Sequence, residues 1–334
     1  MFPYLKWIDG TDGMEQVAER GPSTTKHALA SDAEPIDIRC RDGVVLRGHI
    51  WRAAGGSSCG NVIINPATGV LARYYHYYAR FLAEHGFDVL TYDYRGIGLS
   101  RPPRLRGCSY RWRDWGELDF DAALIAMHER NCELPLLVVG HSIGGFLPGL
   151  SDHAGLIDRM LTVGAQYAYW RDYAPAHRMR LVWKWHIVMP VLTAVFGYFP
   201  GKRLGWLEDL PAGVANEWSF RGARMERSHP VPERGDVIAR FDAVEASILA
   251  VTVSDDDIGT AAAVRRGLSY YRHAEVAQAA LEPSDFGLDA IGHFSLFHAR
   301  HAAGFWLDTV LWLRDAVNPW PQRRDAEALA TLPG

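Results

Sequence analysis

An α/β domain built on a mostly parallel sheet, interrupted by one helical insertion, is the fold class that the 334-residue chain predicts. Three observations carry that expectation. Strand and helix signals alternate over residues 35–167 and again over 241–318, the pattern of a parallel sheet covered by helices. The alternation stops over residues 168–240, which are rich in Trp, Pro and Arg, with helical stretches and no clear strand. The apolar strand PLLVVG (135–140) runs straight into Gly140-His141-Ser142-Ile143-Gly144-Gly145, followed by an apolar, helix-compatible segment.

Residues 1–34 read as a polar, irregular lead-in, and MFPYLKWIDGTDGMEQ lacks the basic start and unbroken apolar run of a secretory signal. IDIRCR and VVLRGHIWR flank Asp42-Gly43, a dipeptide favouring tight hairpins, and predict an antiparallel pair that opens the sheet. NVIIN (61–65) is a short apolar run suited to a buried strand. A helix is expected around 73–85, the strand FDVLTYDY from Phe87, a helix near 115–129, then PLLVVG and a strand MLTVG near Met160. Past the insertion come SILAVTV (247–253), a helix from about Ala261, a strand near 276–281, a helix around 305–316 and a tail over 319–334. Leu181 to Phe199 has about the length of a bilayer span, but Lys184, His186 and Pro190 break it below the roughly 20 apolar residues required. A buried or lid helix is the expectation there, with contact to a membrane surface as the minor alternative.

Composition narrows the function. With 48% hydrophobic and 22% charged residues the chain is an ordinary globular protein, which excludes disorder, collagen and coiled coil. A net charge of −4 argues against nucleic acid as the main partner, because phosphate binding wants a basic face. Cys40, Cys59, Cys108 and Cys132 form no CxxC pair and no zinc spacing with histidine, so no metal or cofactor is expected. They read as reduced, mostly buried thiols of a cytoplasmic protein.

A glycine-flanked serine between strand and helix makes a sharp turn that lifts the hydroxyl off the sheet. The glycines have a physical task, since a side chain at Gly140 or Gly144 would collide with neighbouring backbone. A serine hydroxyl is a poor nucleophile until a base, usually an imidazole oriented by a carboxylate, sits beside it. Ser142 as nucleophile therefore calls for a histidine and an acid elsewhere in the chain.

GHSIGG at this turn, TYDYRGIGLS (91–100) after the fourth strand and AIGHFSLF (290–297) near the end together resemble the α/β-hydrolase family, over nearly the whole chain beyond residue 35. The nearer likeness is to a bacterial branch of predicted hydrolases with an NPATG-type oxyanion loop and a DWGELD-type helix start. The resemblance implies an eight-stranded, mostly parallel sheet with a helical cap, and the chain order nucleophile, acid, histidine. It makes His293, in a late Gly-His-Phe context after the last strand signal, the general base. His298 and His301 fall on the following helix as ordinary polar positions, and His141 packs or hydrogen-bonds locally. The acid falls just after SILAVTV, where Ser254-Asp255-Asp256-Asp257 offers three candidates. Asp256 is the choice, since Thr260 then stands where relatives often have a proline; Asp257 is next. Three adjacent carboxylates repel, so at least one faces solvent or caps the following helix. The implied oxyanion donors are the N–H groups of Ile143 and of Ala67 in the loop Asn65-Pro66-Ala67-Thr68-Gly69. Pro66 has no N–H to give, and Thr68 is the alternative if the register shifts by one.

The insertion, placed as a cap over the nucleophile, holds Trp170, Trp183, Trp185, Trp206 and Trp218, which either line a pocket or form the cap's own core. Tyr74, Tyr75, Tyr77 and Tyr78 face the same choice between pocket and sheet packing. The reading is a cofactor-independent serine hydrolase acting on a carboxylic ester with an apolar acyl or alkyl group. Ser142 attacks, His293 takes the proton and Asp256 holds the imidazole. Acyl transfer, thioester or amide cleavage use the same machinery, and a non-catalytic binding module of this fold is the reading from another class.

Overall fold

The computed structural model describes residues 33–323. The expectations for residues 1–32 and 324–334 lie outside the described residues. The strands are β1 (Ala33–Arg39), β2 (Val45–Trp51), β3 (Asn61–Asn65), β4 (Asp88–Tyr92), β5 (Leu136–His141), β6 (Arg159–Val163), β7 (Tyr198–Phe199), β8 (Leu210–Pro211), β9 (Ser247–Val253) and β10 (Glu275–Leu281). Eight of them form one sheet in the order β1-β2-β4-β3-β5-β6-β9-β10. Within this sheet only the β1–β2 and β2–β4 pairs are antiparallel; β4, β3, β5, β6, β9 and β10 pair in parallel, for example Asn65 with Gly140 and His141 with Val163. β1 begins at Ala33, so the last two residues of the expected lead-in belong to the sheet.

β3 and β5 are buried at every residue, as apolar runs covered on both faces must be. The period of two sends Val62 and Ile64 to one core and Ile63 to the other. The first core is closed by α1 (His76–Glu84) and α7 (302–315), through Tyr78, Leu82, Phe305 and Val310. The second is closed by α2 (112–130), α5 (Arg234–Asp242) and α6 (Ala261–Leu268), through Phe120, Leu124, Phe241 and Val264. The beginning of the expected tail also packs, Trp320 stacking on Phe305 at 5.5 Å. The segment after Ser142 differs from expectation: it forms two short 3₁₀ turns, Ser142–Gly145 and Leu147–Leu150. Pro148 withholds an N–H there and the glycines weaken helix formation. Of the thiols only Cys40 is fully buried; Cys59 and Cys132, in the loops before β3 and β5, are exposed.

Between β6 and β9 lie the helix α3 (Arg178–Phe196), the antiparallel pair β7–β8 and α4 (Ala212–Ser219). Strands of two residues leave no periodicity to read, which is why none is legible in the sequence there. α3 is long and apolar enough to cross a membrane by length and composition, yet here it is folded into the cap. It carries two opposed stripes at a spacing of four residues. Leu181, Trp185, Met189 and Thr193 are buried, while Met179, Trp183, Ile187, Val191 and Val195 are 42–76% exposed. Such a spacing drifts by about 40° per step on an ideal α-helix. The π turn Trp183–Val188 winds less per residue and offsets part of that drift.

Candidate active site

Loops at the carboxyl ends of neighbouring parallel strands bring the site together, the usual place for ligands on an open α/β sheet. β3 leads to Ala67, β5 to Ser142, β6 to Gln166, β9 to Asp256 and β10 to His293. Ser142 has φ 54°, a left-handed conformation that only three non-glycine residues among those described adopt. A Cβ at Gly140 would strike the Gly145 backbone and one at Gly144 the Asn65 carbonyl, so both glycines are required by contact. The left-handed conformation costs an L-residue about 1–2 kcal/mol. Ser142→Gly is therefore expected to be about 1 kcal/mol more stable than Ser142→Ala, read from urea midpoints. Equal midpoints would show that the turn stores no strain.

The three aspartates separate cleanly. Asp256 is buried and lies 2.6 Å from His293 Nδ1 through Oδ2, while its Oδ1 accepts the N–H groups of Ile258 and Gly259 at 2.8 Å each. Burial pushes its carboxyl pKa up, but the neighbouring imidazole and the two N–H donors outweigh burial and leave it below the ordinary value. Asp255 accepts the N–H groups of Ile291 and Gly292 at 2.8 and 2.9 Å, anchoring the loop that carries His293. Asp257 lies 2.6 Å from His177 Nδ1 in the cap. Thr260 caps α6, its hydroxyl accepting from Ala263 N. As expected of three adjacent carboxylates, one faces solvent: Asp255 is exposed while it anchors that loop, and Thr260 rather than an aspartate caps α6.

His141 bonds on both ring nitrogens, Nδ1 2.7 Å from the Tyr75 hydroxyl and Nε2 2.8 Å from the His293 carbonyl. The Tyr75 hydroxyl already accepts the Ala67 N–H at 3.0 Å, so its own proton goes to Nδ1 and His141 Nε2–H donates to the carbonyl. Burial lowers the His141 pKa to about 3, with His293 adding to the shift, so the ring is neutral and ties three loops together. This bears on the predicted oxyanion donor. Ala67 lines the cavity, but its N–H is committed to Tyr75, whereas Thr68 lines the same cavity one residue on. Ile143, directly after the serine, also lines it. His301 is buried rather than an ordinary polar position, because its 3₁₀ turn packs under Phe286.

A cavity of about 110 Å³ opens on Ser142 and His293. Its walls include Trp185, Trp206 and Trp218 from the cap and Trp112 from α2. Trp185 and Trp218 stack at 4.7 Å, so they build the cap's core and line the cavity at once. Trp170 packs on the core outside the lining, and Trp183 faces solvent. The four tyrosines of 74–78 do not line it; Tyr75 and Tyr78 are fully buried. Among the described residues no three His, Cys, Asp or Glu side chains are placed to hold a metal ion.

Residues 56–218, just under half of the chain, match the family described as serine aminopeptidase, S33. That match covers the serine turn, and the eight-stranded sheet order extends the likeness through β9 and β10. The chain has the α/β-hydrolase fold. Its fold resembles a soluble variant of monoglyceride lipase from Saccharomyces cerevisiae in complex with a substrate analog, with a TM-score of 0.58 and 15% identity over 84% of this chain and 94% of that one. It also resembles an esterase from Pyrococcus furiosus, with a TM-score of 0.52 and 16% identity over 85% and 93% of the two chains. A haloalkane dehalogenase from Agrobacterium tumefaciens shares the fold at a TM-score of 0.51 and 14% identity over 85% and 98%. No curated protein shows significant sequence similarity. One fold therefore houses several chemistries, and the site must separate them.

The candidate site has one residue that no motif in the sequence signals. Gln166 Nε2 donates to Ser142 Oγ at 3.2 Å, and its Oε1 accepts from Ala168 N. The available signal was position: Gln166 lies just past β6, the strand next to β5. TYDYRGIGLS is a brace beside the site. Asp93 accepts the N–H groups of Ala72 and Leu99 at 2.7 and 2.9 Å, and buried Arg95 pairs with Asp119 at 2.5 Å on α2.

Proposed function

We propose that the protein is a serine hydrolase cleaving a carboxylic ester through an acyl-enzyme. The observation that carries this reading is the pairing of buried Asp256 with His293 at the cavity into which Ser142 is turned. Asp256 fixes Nδ1 of His293 as the protonated nitrogen, which frees Nε2 to take the proton of Ser142 as Oγ attacks the carbonyl carbon. Gln166 donates to the same Oγ and leaves its proton directed elsewhere. The oxyanion that forms is held by the N–H of Ile143 and a second donor from the loop after β3. Because Ala67 is engaged by Tyr75, Thr68 takes that role unless the Tyr75 bond breaks on binding. His293 returns the proton to the leaving alcohol, and a water activated by the same nitrogen hydrolyses the acyl-enzyme. Dehalogenase chemistry is disfavoured, because its nucleophile in this fold is an aspartate and the turn here carries serine. The walls suit an apolar acyl or alkyl group, since indole and aliphatic side chains make up most of the lining. A fluorophosphonate probe tests the reading: it labels wild type at Ser142, whereas a non-catalytic receptor with this fold stays unlabelled.

The exposed stripe of α3 favours a second role, contact with an anionic membrane surface. Its apolar side chains share the helix with exposed Arg180, as on a helix lying in a lipid interface. Flotation with phosphatidylglycerol vesicles is expected to carry the protein upward, and Trp183→Ser with Val191→Ser to lower the bound fraction several-fold. Absence of wild-type flotation removes this role.

A further inference from the structure

We propose that Arg221 seats a carboxylate carried by the substrate, so that the esters cleaved here are acid-bearing rather than neutral. The inference rests on the serine-hydrolase reading and adds the charge of the substrate to it. Arg221 follows α4 in the cap and lines the same cavity as Ser142 and His293, with only 4% of its surface exposed. Its guanidinium lies over the Trp112 ring, 3.7 Å from the centroid, and Nη1 donates to the Tyr167 carbonyl at 2.8 Å.

Nε and Nη2 are buried and have no hydrogen-bond partner among the described residues. These two N–H groups share one edge of the planar guanidinium and run parallel, matching the two oxygens of a single carboxylate. A buried guanidinium edge that no protein group accepts from is costly, because nothing in the protein offsets its desolvation. The nearby carboxylate of Glu217 does not fill it. One Glu217 oxygen accepts the Arg113 backbone N–H at 3.2 Å and the other lies 3.8 Å from Arg113 Nε. Burial lowers the Arg221 pKa only to about 10, so the group is cationic at neutral pH.

Lys184, the other cation of the wall, packs on indole rings, its ammonium 4.2 and 4.4 Å from the ring centroids of Trp185 and Trp206. Arg221 differs from it in presenting two parallel N–H donors on one planar edge, which a point-like ammonium does not. The indole walls beside it lower the local dielectric, which strengthens a charge pair formed there.

Two ester pairs test this. Monoethyl glutarate against ethyl pentanoate changes the acyl end; the butanoate ester of 3-hydroxypropanoate against propyl butanoate changes the alcohol end. For at least one pair, wild-type kcat/KM is expected to favour the acid-bearing ester tenfold or more, and Arg221→Met to erase that ratio while neutral esters are still cleaved. A purely structural Arg221 would lower both members of a pair alike. A wild-type ratio of one or less in both pairs overturns the proposal whether or not the variant folds, and so does a ratio that survives in Arg221→Met. Fluorophosphonate labelling of Ser142 reports separately on the hydrolase reading. Should labelling and cleavage both fail, calorimetry with glutarate still decides: wild-type binding weakened at least tenfold in Arg221→Met supports the seat, and no wild-type binding overturns it.

Discussion

Ser142→Ala is expected to lower kcat by about 10⁶-fold, because a nucleophile and base that act as a unit lose nearly everything when either goes. Labelling by a fluorophosphonate should vanish in the same variant. Folding should survive, since alanine fits the turn and removes no hydrogen bond except that from Gln166 Nε2, which can turn to the cavity. The distinction from loss of folded protein is made by comparing circular dichroism and urea midpoints with wild type. Gln166→Ala offers a graded companion, because it removes a donor to the hydroxyl while leaving the nucleophile in place. Retention of full ester cleavage by correctly folded Ser142→Ala would end the serine-hydrolase reading, and the cavity would then be a receptor.

The centre of the sheet was legible because its strands are short apolar runs, too short to be read as helices. NVIIN and SILAVTV coincide with β3 and β9 residue for residue. The site residues on strand ends were legible for a related reason: a glycine-flanked serine after β5 and a Gly-His-Phe after β10 have strong local signatures. What the sequence did not yield depends on contacts between distant loops. The engagement of the Ala67 N–H by Tyr75 links residues eight apart through a side chain with no motif of its own. Gln166 and Arg221 acquire meaning only once β6 and the cap are folded over Ser142. The tryptophans of the cap read as pocket or core, and the structure makes Trp185 and Trp218 both.

Asp256→Asn is expected to lower kcat by roughly 10³–10⁴-fold, the loss seen when a triad carboxylate is replaced by the amide of the same shape. The amide can still occupy the space, but it does not stabilise an imidazolium, and it invites the wrong tautomer of His293 across the 2.6 Å contact. The pH dependence of folding should change with it. A carboxyl held below its ordinary value in the folded state adds stability above its unfolded pKa, and that stability fades as pH falls through the lower, folded value. Asp256→Asn removes this contribution, so its melting temperature should vary less than that of wild type on the acid side. The neighbours separate by what they hold. Asp257→Asn weakens a contact with His177 in the cap and should cost less than about tenfold in kcat, since no reacting group depends on it. Asp255→Asn keeps one acceptor for the Ile291 and Gly292 N–H groups, whereas Asp255→Ala keeps none and loosens the loop before His293. Asp255→Ala should therefore lower kcat by about tenfold, well short of Asp256→Asn, because it disturbs the position of the base and not its chemistry. The comparison needs equal folded fractions, established by thermal melts beside the kinetics. A large loss in Asp257→Asn with little in Asp256→Asn would move the acid by one residue and discard the tautomer argument with it.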